Sequence, residues 1–325
     1  MSLPGGHRAR PAADCGGNPA VRVHHHSGGH DAVGYSRELA HLRENLARTR
    51  DAATSPATGD SFPGTTRMAK IIRTIGELYA RLRSDHVIHD GSVLPARWMR
   101  TGGRHFQDDR RFLASGEAEA DRLQRFLDCS RASRILDIGC GVGRLPIGII
   151  RRLGDVRRYE GVDATQRSVR WCTRYLTPSH PRFRFTHLNV CNARYNPAGD
   201  VLNDDFRFPF DDASFDIVYL YSVFSHMKWE ETERYVGEFR RLLAPNGKVF
   251  LTAFVEENVP PVTVNPEEGA MRWRGPLHCV RYERTHFEDM LRSHNCVVHS
   301  YEYGRETDGQ SAYVLTVSQE NRGDS

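Results

Sequence analysis

A glycine-rich turn is the first feature of the chain whose residue types could bind a ligand. Residues 137–144 read DIGCGVGR and follow the short apolar run Arg134–Ile138. Such a run, bounded by glycine, is typical of a buried parallel strand. Glycines tolerate backbone conformations that other residues avoid, so they let the main chain approach a ligand closely. The turn therefore predicts a ligand site at the carboxyl end of a strand.

The spacing of the turn and two acids indicates which ligand. A dinucleotide fingerprint requires a third glycine at position 144, where this chain has Arg144, and the third glycine is Gly143 instead. Asp137 would repel a pyrophosphate and favours a cationic group. Twenty residues after Gly143, Asp163 ends the next predicted strand and can accept hydrogen bonds from both ribose hydroxyls. These features predict a nucleoside with a positively charged tail and no phosphate, which is the chemistry of S-adenosylmethionine.

The elements that position these residues alternate between strand and helix. We predict strands at 134–138, 159–163, 183–188, 215–221, 248–254, 296–303 and 312–317. We predict helices at 117–128, 144–153, 165–175, 229–244 and 285–294. This alternation indicates an α/β fold with a doubly wound parallel sheet and right-handed crossovers. No helix fits between the last two strands, which predicts an antiparallel hairpin at the sheet edge.

Residues 133–254 resemble the class I S-adenosylmethionine-dependent methyltransferases. ILDIGCGVGR is similar to the first motif of that family, EGVDAT to the second, and LLAPNGKVFLTAF to the strand after its late glycine turn. The resemblance implies a Rossmann-like seven-stranded sheet in the order 3-2-1-4-5-7-6, with strand seven antiparallel. It also implies that Asp137 and the backbone of Gly139 and Gly141 hold the methionine moiety, and that Asp163 holds the ribose.

Further cofactor contacts are predicted around the same turn and at the ends of the neighbouring strands. They are Cys140, Gly143, Arg144, Ala164, Asn189, Val190, Tyr221 and Ser222. Arg144 is predicted either to pair with the methionine carboxylate or to be an exposed cation. Where the family often has an acid near the adenine amino group, this chain has Asn189, whose amide oxygen can accept a hydrogen bond.

A narrower resemblance covers about residues 90–318. The segment FDIVYLYSVFSHM is similar to a bacterial subgroup whose fourth motif ends in S-V-F-[ST]-H-[ML]. In that subgroup a Phe-x-x-x-Gly element folds over the cofactor, and Phe112 and Gly116 match it. Members of the subgroup are associated with methylation of glycans or small natural products. The resemblance therefore implies a sugar or small-molecule acceptor.

His226 is the candidate general base for methylation of a hydroxyl group. It lies just beyond the fourth predicted strand, where the reacting methyl group is expected, and the ordinary histidine pKa of about 6.5 suits removal of a proton. The alternative is that His226 caps the following helix or fixes the loop. Asp216 begins the same strand at its opposite end and is predicted to be structural. A metal-dependent mechanism is disfavoured because no Asp/Asn cluster stands out near this strand.

Two segments are predicted to form the walls of an acceptor site. Residues 255–283 are long and rich in proline, and long insertions after parallel strands usually determine specificity. We predict that they form a substrate lid with Trp273, His278 and Tyr282 as acceptor contacts. The polar stretch 193–214 is a second candidate wall.

The N-terminal part of the chain differs from the rest in composition. We predict that residues 1–66 form a disordered tail with one short helix and a linker. Residues 1–34 are rich in Gly, Pro and His and lack an apolar period, whereas residues 36–51 carry leucines on one side and residues 52–66 have the composition of a linker. An amphipathic helix follows Met68, itself a candidate start codon, and opens a helical lead-in and cofactor cover over 67–116. The predicted methyltransferase domain spans 117–320.

Composition limits the remaining classes of protein. The 325 residues contain no run near the roughly 20 apolar residues of a membrane span, and the first thirty lack the apolar centre of a secretory signal. The seven cysteines are scattered without any C-x-x-C pair, which predicts a reducing, cytoplasmic location and neither a disulfide scaffold nor a zinc knuckle. The net charge is only +4, and arginine pairs are interspersed with acids, so a nucleic-acid partner is disfavoured.

Three functions are compatible with these residues. The first is an O-methyltransferase acting on a sugar or small molecule. The second, a nucleic-acid methyltransferase, is disfavoured because the fourth strand lacks a [DN]-P-P-[YF] motif. The third is an inactive partner subunit that only binds cofactor, and the intact Asp137, glycines and Asp163 argue against it. The acceptor atom and the oligomeric state are left open.

Overall fold

The computed structural model describes residues 84–267 and 275–318. Three predictions lie outside these residues: the tail over 1–66, the helix after Met68 up to residue 83, and Trp273 as an acceptor contact. In the described part of the chain, no helix is long and apolar enough to cross a membrane.

Most elements have the bounds that the sequence predicts, within a few residues. The strands are β1 (His86–His89), β2 (Ser92–Pro95), β3 (Arg134–Ile138), β4 (Arg158–Asp163), β5 (Phe183–His187), β6 (Phe215–Leu220), β7 (Leu243–Glu256), β8 (Val262–Val264), β9 (Val280–Glu283), β10 (Cys296–Glu302) and β11 (Ser311–Val317). The helices are α1 (Asp109–Leu127), α2 (Arg144–Leu153), α3 (Gln166–Tyr175), α4 (Trp229–Leu242) and α5 (Arg284–Ser293). Strands β1, β2, β8 and β9 are not predicted.

The main sheet has the predicted topology. Its strands lie in the order β5-β4-β3-β6-β7-β11-β10, which is 3-2-1-4-5-7-6 when only these seven strands are counted. Strands β3 to β7 pair in parallel along this path, and β11 is antiparallel to both β7 and β10. Two further strands extend the sheet, because β9 pairs in parallel with the end of β7 and β8 pairs with β9. The expected count of seven strands is therefore corrected to nine.

Strand β7 begins earlier than predicted. It starts at Leu243, directly after α4, and its pairing with β6 shifts register between Phe215 and Ile217. Asn246 and Gly247, the late glycine turn of the motif LLAPNGKVFLTAF, lie inside this irregular start, and Asn246 has a φ of +64°. The turn is therefore an irregularity within the strand rather than a separate loop.

A β-hairpin replaces part of the predicted helical lead-in. Strands β1 and β2 pair antiparallel with His89 opposite Ser92, which leaves Asp90 and Gly91 as a two-residue turn. Both turn residues have positive φ, +47° and +72°, as a type I′ turn requires. Asp-Gly is a preferred sequence for this turn, so the helical prediction for residues 86–95 is wrong.

Helix α1 begins at Asp109, not at Glu117 as predicted. Asp108 caps its first turn, where its Oδ1 accepts a hydrogen bond from Arg111 N at 2.8 Å. Glycine is unfavourable inside a helix, so Gly116 makes the first part of α1 difficult to predict from the sequence.

Gly116 is inside α1 because α2 passes very close to it. A Cβ atom on Gly116 would overlap the carbonyl oxygen of Arg144, and a Cβ on Gly148 would lie only 2.8 Å from Glu117 N. The two helices therefore meet backbone to backbone at a pair of glycines. Gly116 allows this packing, which corrects the prediction that it folds over the cofactor.

Helices cover both faces of the sheet. Along β6, Ile217 and Tyr219 pack in the cluster that contains α1 and α2 side chains, whereas Val218 and Leu220 pack in the cluster that contains α4 and α5 side chains. This alternation follows from the two-residue period of a strand. The carboxyl ends of the parallel strands are left at one edge, where the glycine turn lies.

Candidate active site

A cavity of about 730 Å³ lies at the carboxyl ends of β3, β4 and β6. It brings together most of the predicted site residues, which are Phe112, Asp137, Gly139, Cys140, Gly141, Arg144, Asp163, Ala164, Val190, Tyr221, Ser222 and His226. A cavity of this size is within the range of roughly 300–1,000 Å³ that small-molecule sites occupy.

Two predicted cofactor residues besides Gly116 do not line the cavity. Gly143 has a φ of +81° at the start of α2, and a Cβ there would lie 3.0 Å from Cys172 Sγ, so its role is to form the turn. Asn189 uses its amide within the following loop, where Nδ2 donates to Asp200 at 3.0 Å and Oδ1 accepts from Asn196 at 3.2 Å. The Asn189 amide oxygen keeps one of its two acceptor positions, and the adenine contact stays a prediction.

The glycine turn is folded against β4 and opens toward the cavity. The backbone N–H groups of Gly139 and Cys140 donate to Val162 O at 2.8 and 3.1 Å. A Cβ on Gly139 would lie 2.6 Å from Val223 Cγ2, whereas beside Gly141 no atom lies within 4 Å of a Cβ position. The main chain at Gly141 is thus accessible to a ligand, as the sequence predicts.

Asp163 holds the turn in place from the end of β4. Its Oδ2 accepts a hydrogen bond from Gly141 N at 2.8 Å, and its Oδ1 accepts one from Thr165 N at 2.6 Å. Burial raises the pKa of Asp163, and these two N–H groups oppose that rise. The Thr165 side chain also forms a hydrogen bond with this carboxylate. A carboxylate has about four acceptor positions, so one remains for a ligand hydroxyl.

Asp137 is a buried acid, only 3% exposed, at the end of β3. It accepts a hydrogen bond from the hydroxyl of Tyr159 on β4. Burial raises the pKa of Asp137 to about 7, and the nearby Glu119 carboxylate adds to the rise. A ligand cation beside Asp137 would stabilise its ionised form.

Arg144 makes an ion pair with an acid of another helix. Its partner is Glu119 of α1, which is 4% exposed and also lines the cavity. The Arg144 guanidinium also lies over the rings of Phe106, at 4.9 Å, and Tyr221, at 5.2 Å. Of the two predicted alternatives, an exposed cation is therefore wrong. Glu119 is not predicted from the sequence; the signal that could have found it is an acid on the apolar face of α1.

A buried polar network fixes the end of β6. Ser222, with a φ of +58°, donates its N–H to Thr252 Oγ1 at 2.8 Å and accepts from Gln310 Nε2 at 2.9 Å. Thr252 Oγ1 in turn donates to Gln310 Oε1 at 2.9 Å. Backbone strain of this kind is tolerated where the surroundings over-determine it and is common at functional sites. Thr252 and Gln310 come from β7 and the start of β11, so local sequence patterns do not reveal them.

His226 lies in the cavity wall just beyond β6. Its Nδ1 is 3.0 Å from the carbonyl oxygen of Leu277, and because a carbonyl only accepts, Nδ1 carries the proton. The unprotonated nitrogen is then Nε2. Burial lowers the pKa of His226 to about 4, so the ring is neutral at pH 7.

The inserted segment after β7 contributes to the cavity in part as predicted. His278 lines the cavity, next to Leu277, whose backbone has a φ of +45°. Tyr282 does not line it: the side chain is buried, and its hydroxyl lies 2.9 Å from Phe224 O and 3.0 Å from Met227 O. Tyr282 therefore anchors the loop that carries His226, which corrects its predicted role as an acceptor contact.

The structure also places two other residues or segments singled out in the sequence. Arg194, Tyr195 and Leu202, from the polar stretch 193–214, line the cavity. Asp216 lies at the amino end of β6, where it accepts hydrogen bonds from the backbone N–H of Arg134 at 2.8 Å and from its guanidinium at 2.6 Å. The first observation supports a wall, and the second supports a structural role.

The sheet order, the glycine turn with its buried preceding acid and the second acid at the next strand end together define a class I S-adenosylmethionine-dependent methyltransferase fold and site. Residues 135–247 match the family model described as a methyltransferase domain. The match covers about a third of the chain, and S-adenosylmethionine is the cofactor of the class.

Three curated relatives are similar to part of the chain. Methyltransferase GfsG of Streptomyces halstedii is 26% identical over 141 residues, which are 43% of this chain and 45% of that protein. The tRNA N(3)-cytidine methyltransferase METTL2 of Gallus gallus is 29% identical over 130 residues, 38% of this chain and 30% of that protein. Norajmaline N-methyltransferase of Rauvolfia serpentina is 23% identical over 154 residues, 46% of this chain and 47% of that protein. The chain spans less than half the length of each.

Solved structures of methyltransferases are also similar to the chain. Geranyl diphosphate C-methyltransferase of Streptomyces coelicolor A3(2) gives a TM-score of 0.46 at 13% identity and covers 68% of this chain and 87% of its own. The glycopeptide N-methyltransferase MtfA gives a TM-score of 0.44 at 13% identity and covers 64% of this chain and 96% of its own.

Proposed function

We propose that the chain transfers the methyl group of S-adenosylmethionine to a hydroxyl group of a sugar or another small natural product. The observation that carries this proposal is one cavity, of about 730 Å³, that contains both the glycine turn and His226. Its size suits a cofactor with a small acceptor rather than a polymer surface.

The donor groups at the turn fit the cofactor. When bound, S-adenosylmethionine supplies a methyl group that is already activated on a cationic sulfur. Asp137 is suited to hold the ammonium group, and Asp163 has an acceptor position free for a ribose hydroxyl. The open space beside Gly141 lets the backbone approach the methionine moiety.

His226 is suited to remove the proton of the acceptor hydroxyl. Methyl transfer is an in-line displacement, so the protein has to align the acceptor oxygen, exclude water and accept a proton. The hydrogen bond from Nδ1 to the Leu277 carbonyl fixes the tautomer in which Nε2 carries the lone pair. As the acceptor oxygen gains the methyl carbon and the carbon–sulfur bond of the cofactor breaks to leave a neutral thioether, Nε2 would take the hydroxyl proton and the ring would become charged.

Apolar and aromatic side chains surround the part of the cavity near His226. They include Val223, Met227 and Tyr235, and the Tyr195 ring meets His226 edge to face at 5.5 Å. Such walls favour a small acceptor with an apolar portion. Among the relatives, one is named for norajmaline and another for tRNA, so both kinds of acceptor enter the test.

We further propose that the reaction takes place in a bacterial cytoplasm. The support is the scattered cysteine pattern, together with five free, buried cysteines, Cys129, Cys140, Cys172, Cys279 and Cys296. The bacterial origin rests on the resemblance of the fourth motif alone.

Cofactor binding is tested by calorimetry with S-adenosylhomocysteine. We expect D163N to weaken binding at least tenfold, about 1.4 kcal/mol, because it removes the charge that holds both the turn and the ribose. D212N, at an exposed acid far along the chain, is the control and should bind as the wild type does. Absence of binding to the folded wild-type protein would disprove the methyltransferase proposal.

The acceptor is tested with isotope-labelled S-adenosylmethionine and a panel of sugars, hydroxylated natural products and tRNA. We expect label in a small molecule, and we expect H226A to lower kcat by about 100-fold or more. H299A, at an exposed histidine of β10, is the control and should keep full activity. Transfer to tRNA alone would contradict the proposed acceptor class.

A further inference from the structure

Tyr219 carries a hydroxyl group that is buried, lines the cavity and has no partner. The residue is 1% exposed, and its ring stacks on Phe250 of β7 with centroids 5.1 Å apart and 12° between the planes. Its Oη makes no hydrogen bond with any residue in the described part of the chain. Buried hydroxyls are normally hydrogen-bonded, so this one requires an explanation.

The charged groups around this hydroxyl leave it as a donor. The charged groups that interact electrostatically with Tyr219 are the Glu119 carboxylate and the guanidinium groups of Arg122 and Arg144. Glu119 is already paired with Arg144, and Arg122 is paired with Glu306 at 2.8 Å. The nearby acids are therefore taken by arginines. An anionic oxygen entering from the cavity would be favoured by both guanidinium groups and would accept from the Tyr219 hydroxyl.

The register of the sheet places Tyr219 beside Asp137. The two residues are direct partners in the parallel pairing of β3 and β6, so their side chains leave the same face of the sheet from strands about 4.8 Å apart. One position offers a carboxylate for a cation, and the other offers a hydroxyl donor for an anion. An α-amino acid group carries both charges on neighbouring atoms.

We propose that the Tyr219 hydroxyl donates a hydrogen bond to the carboxylate of the amino-acid end of the cofactor, while Asp137 holds the ammonium group. The proposal rests on the proposed function and adds to it the residue that recognises the carboxylate. Arg144 contributes positive charge to the same subsite from the start of α2. Tyr219 is thus a binding residue that is kept at the expense of the stability of the ligand-free protein.

The test compares two ligands on the Y219F variant by calorimetry. S-adenosylhomocysteine carries the amino-acid end, and 5′-methylthioadenosine lacks it. We expect Y219F to weaken binding of S-adenosylhomocysteine at least fivefold and to change binding of 5′-methylthioadenosine by less than twofold. Y313F is the matched control: Tyr313 is equally buried on β11, lies outside the cavity and donates to Glu288 at 3.4 Å, so both affinities should stay unchanged.

Thermal unfolding of the ligand-free variants supplies a second readout. Because Y219F removes a buried hydroxyl that has no partner, we expect its unfolding midpoint to rise while its affinity falls. Equal weakening of both ligands, unchanged binding of S-adenosylhomocysteine, or a lower midpoint would each overturn the proposal. Failure of the wild-type protein to bind either nucleoside would instead disprove the proposed cofactor, so the two failures are distinguishable.

Discussion

The contact between α1 and α2 allows a substitution whose effect can be calculated from the structure. In G148A, the new methyl group would lie 2.8 Å from Glu117 N and closer still to the carbonyl group of Gly116. Ordinary contacts begin at 3.4 Å, so even the mildest of these overlaps requires a shift of about 0.6 Å. The opposing atoms are backbone atoms of α1, which cannot rotate away, so the helices have to separate.

The expected cost follows from two opposing effects. Overpacking of a close contact costs typically about 1–3 kcal/mol, and replacing glycine by alanine inside a helix returns up to about 1 kcal/mol. We therefore expect G148A to lower the free energy of unfolding by about 1–2 kcal/mol. G237A in α4 is the matched control, because its methyl group would meet His294 at 3.4 Å, an ordinary contact. It should stabilise the protein by about 0.5–1 kcal/mol.

Guanidinium chloride unfolding of the two variants and the wild type measures both effects. The expected result is a pair of midpoints on opposite sides of the wild-type value, with equal slopes. A G148A variant as stable as G237A would refute the close approach of the helices and would reopen the question of what Gly116 does.

Three further predictions concern the cavity. Burial raises the pKa of Asp137 to about 7, and the carboxyl group must ionise to hold a cation, so affinity for S-adenosylhomocysteine should fall up to tenfold per pH unit below about 7. Calorimetry in which the affinity stays constant from pH 7.5 to 5.5 would contradict this. Because the pKa of His226 is lowered to about 4, kcat at saturating cofactor should stay constant down to about pH 5 and decrease at lower pH. A pH–rate profile with a midpoint near 6.5 would argue against the buried environment of this ring. T252V should destabilise the protein by about 2–4 kcal/mol, because Ser222 N and Gln310 Oε1 each lose a buried partner. T252S should restore most of the stability in denaturant unfolding, and equal stability of the two variants would exclude this network.

Local patterns identify seven of the eleven strands and the two acids, because burial on both faces of a sheet gives a strand a short, continuous apolar run. Strand β3 has the predicted bounds, Arg134–Ile138, and Asp163 ends β4 as expected. The alternation of strands and helices was enough for a doubly wound sheet. The spatial order of the strands came from the resemblance of three motifs, which carry the fold of a family rather than a local preference.

Two errors had signals in the sequence that point the other way. Asp90-Gly91 between short apolar runs is a hairpin signal, although it lies inside the helical lead-in predicted for residues 67–116. Gly116 matched a motif and was assigned to the cofactor, although a buried glycine in a helix also fits a close helix contact. Each of these positions is compatible with two structures, and the choice between them depends on which helix or strand packs against it, which the local sequence does not give.

The amino-acid sequence by itself determined the class of fold, the ligand chemistry of the glycine turn and the position of His226, because each depends on residues within one strand–turn–helix unit. Only the tertiary structure decided that Glu119 pairs with Arg144, that Tyr282 anchors the loop that carries His226, and that the carbonyl of Leu277, 51 residues from His226, selects its tautomer. These contacts join elements far apart in the chain. Their geometry depends on how helices and insertions pack on the sheet, and no local period records that packing.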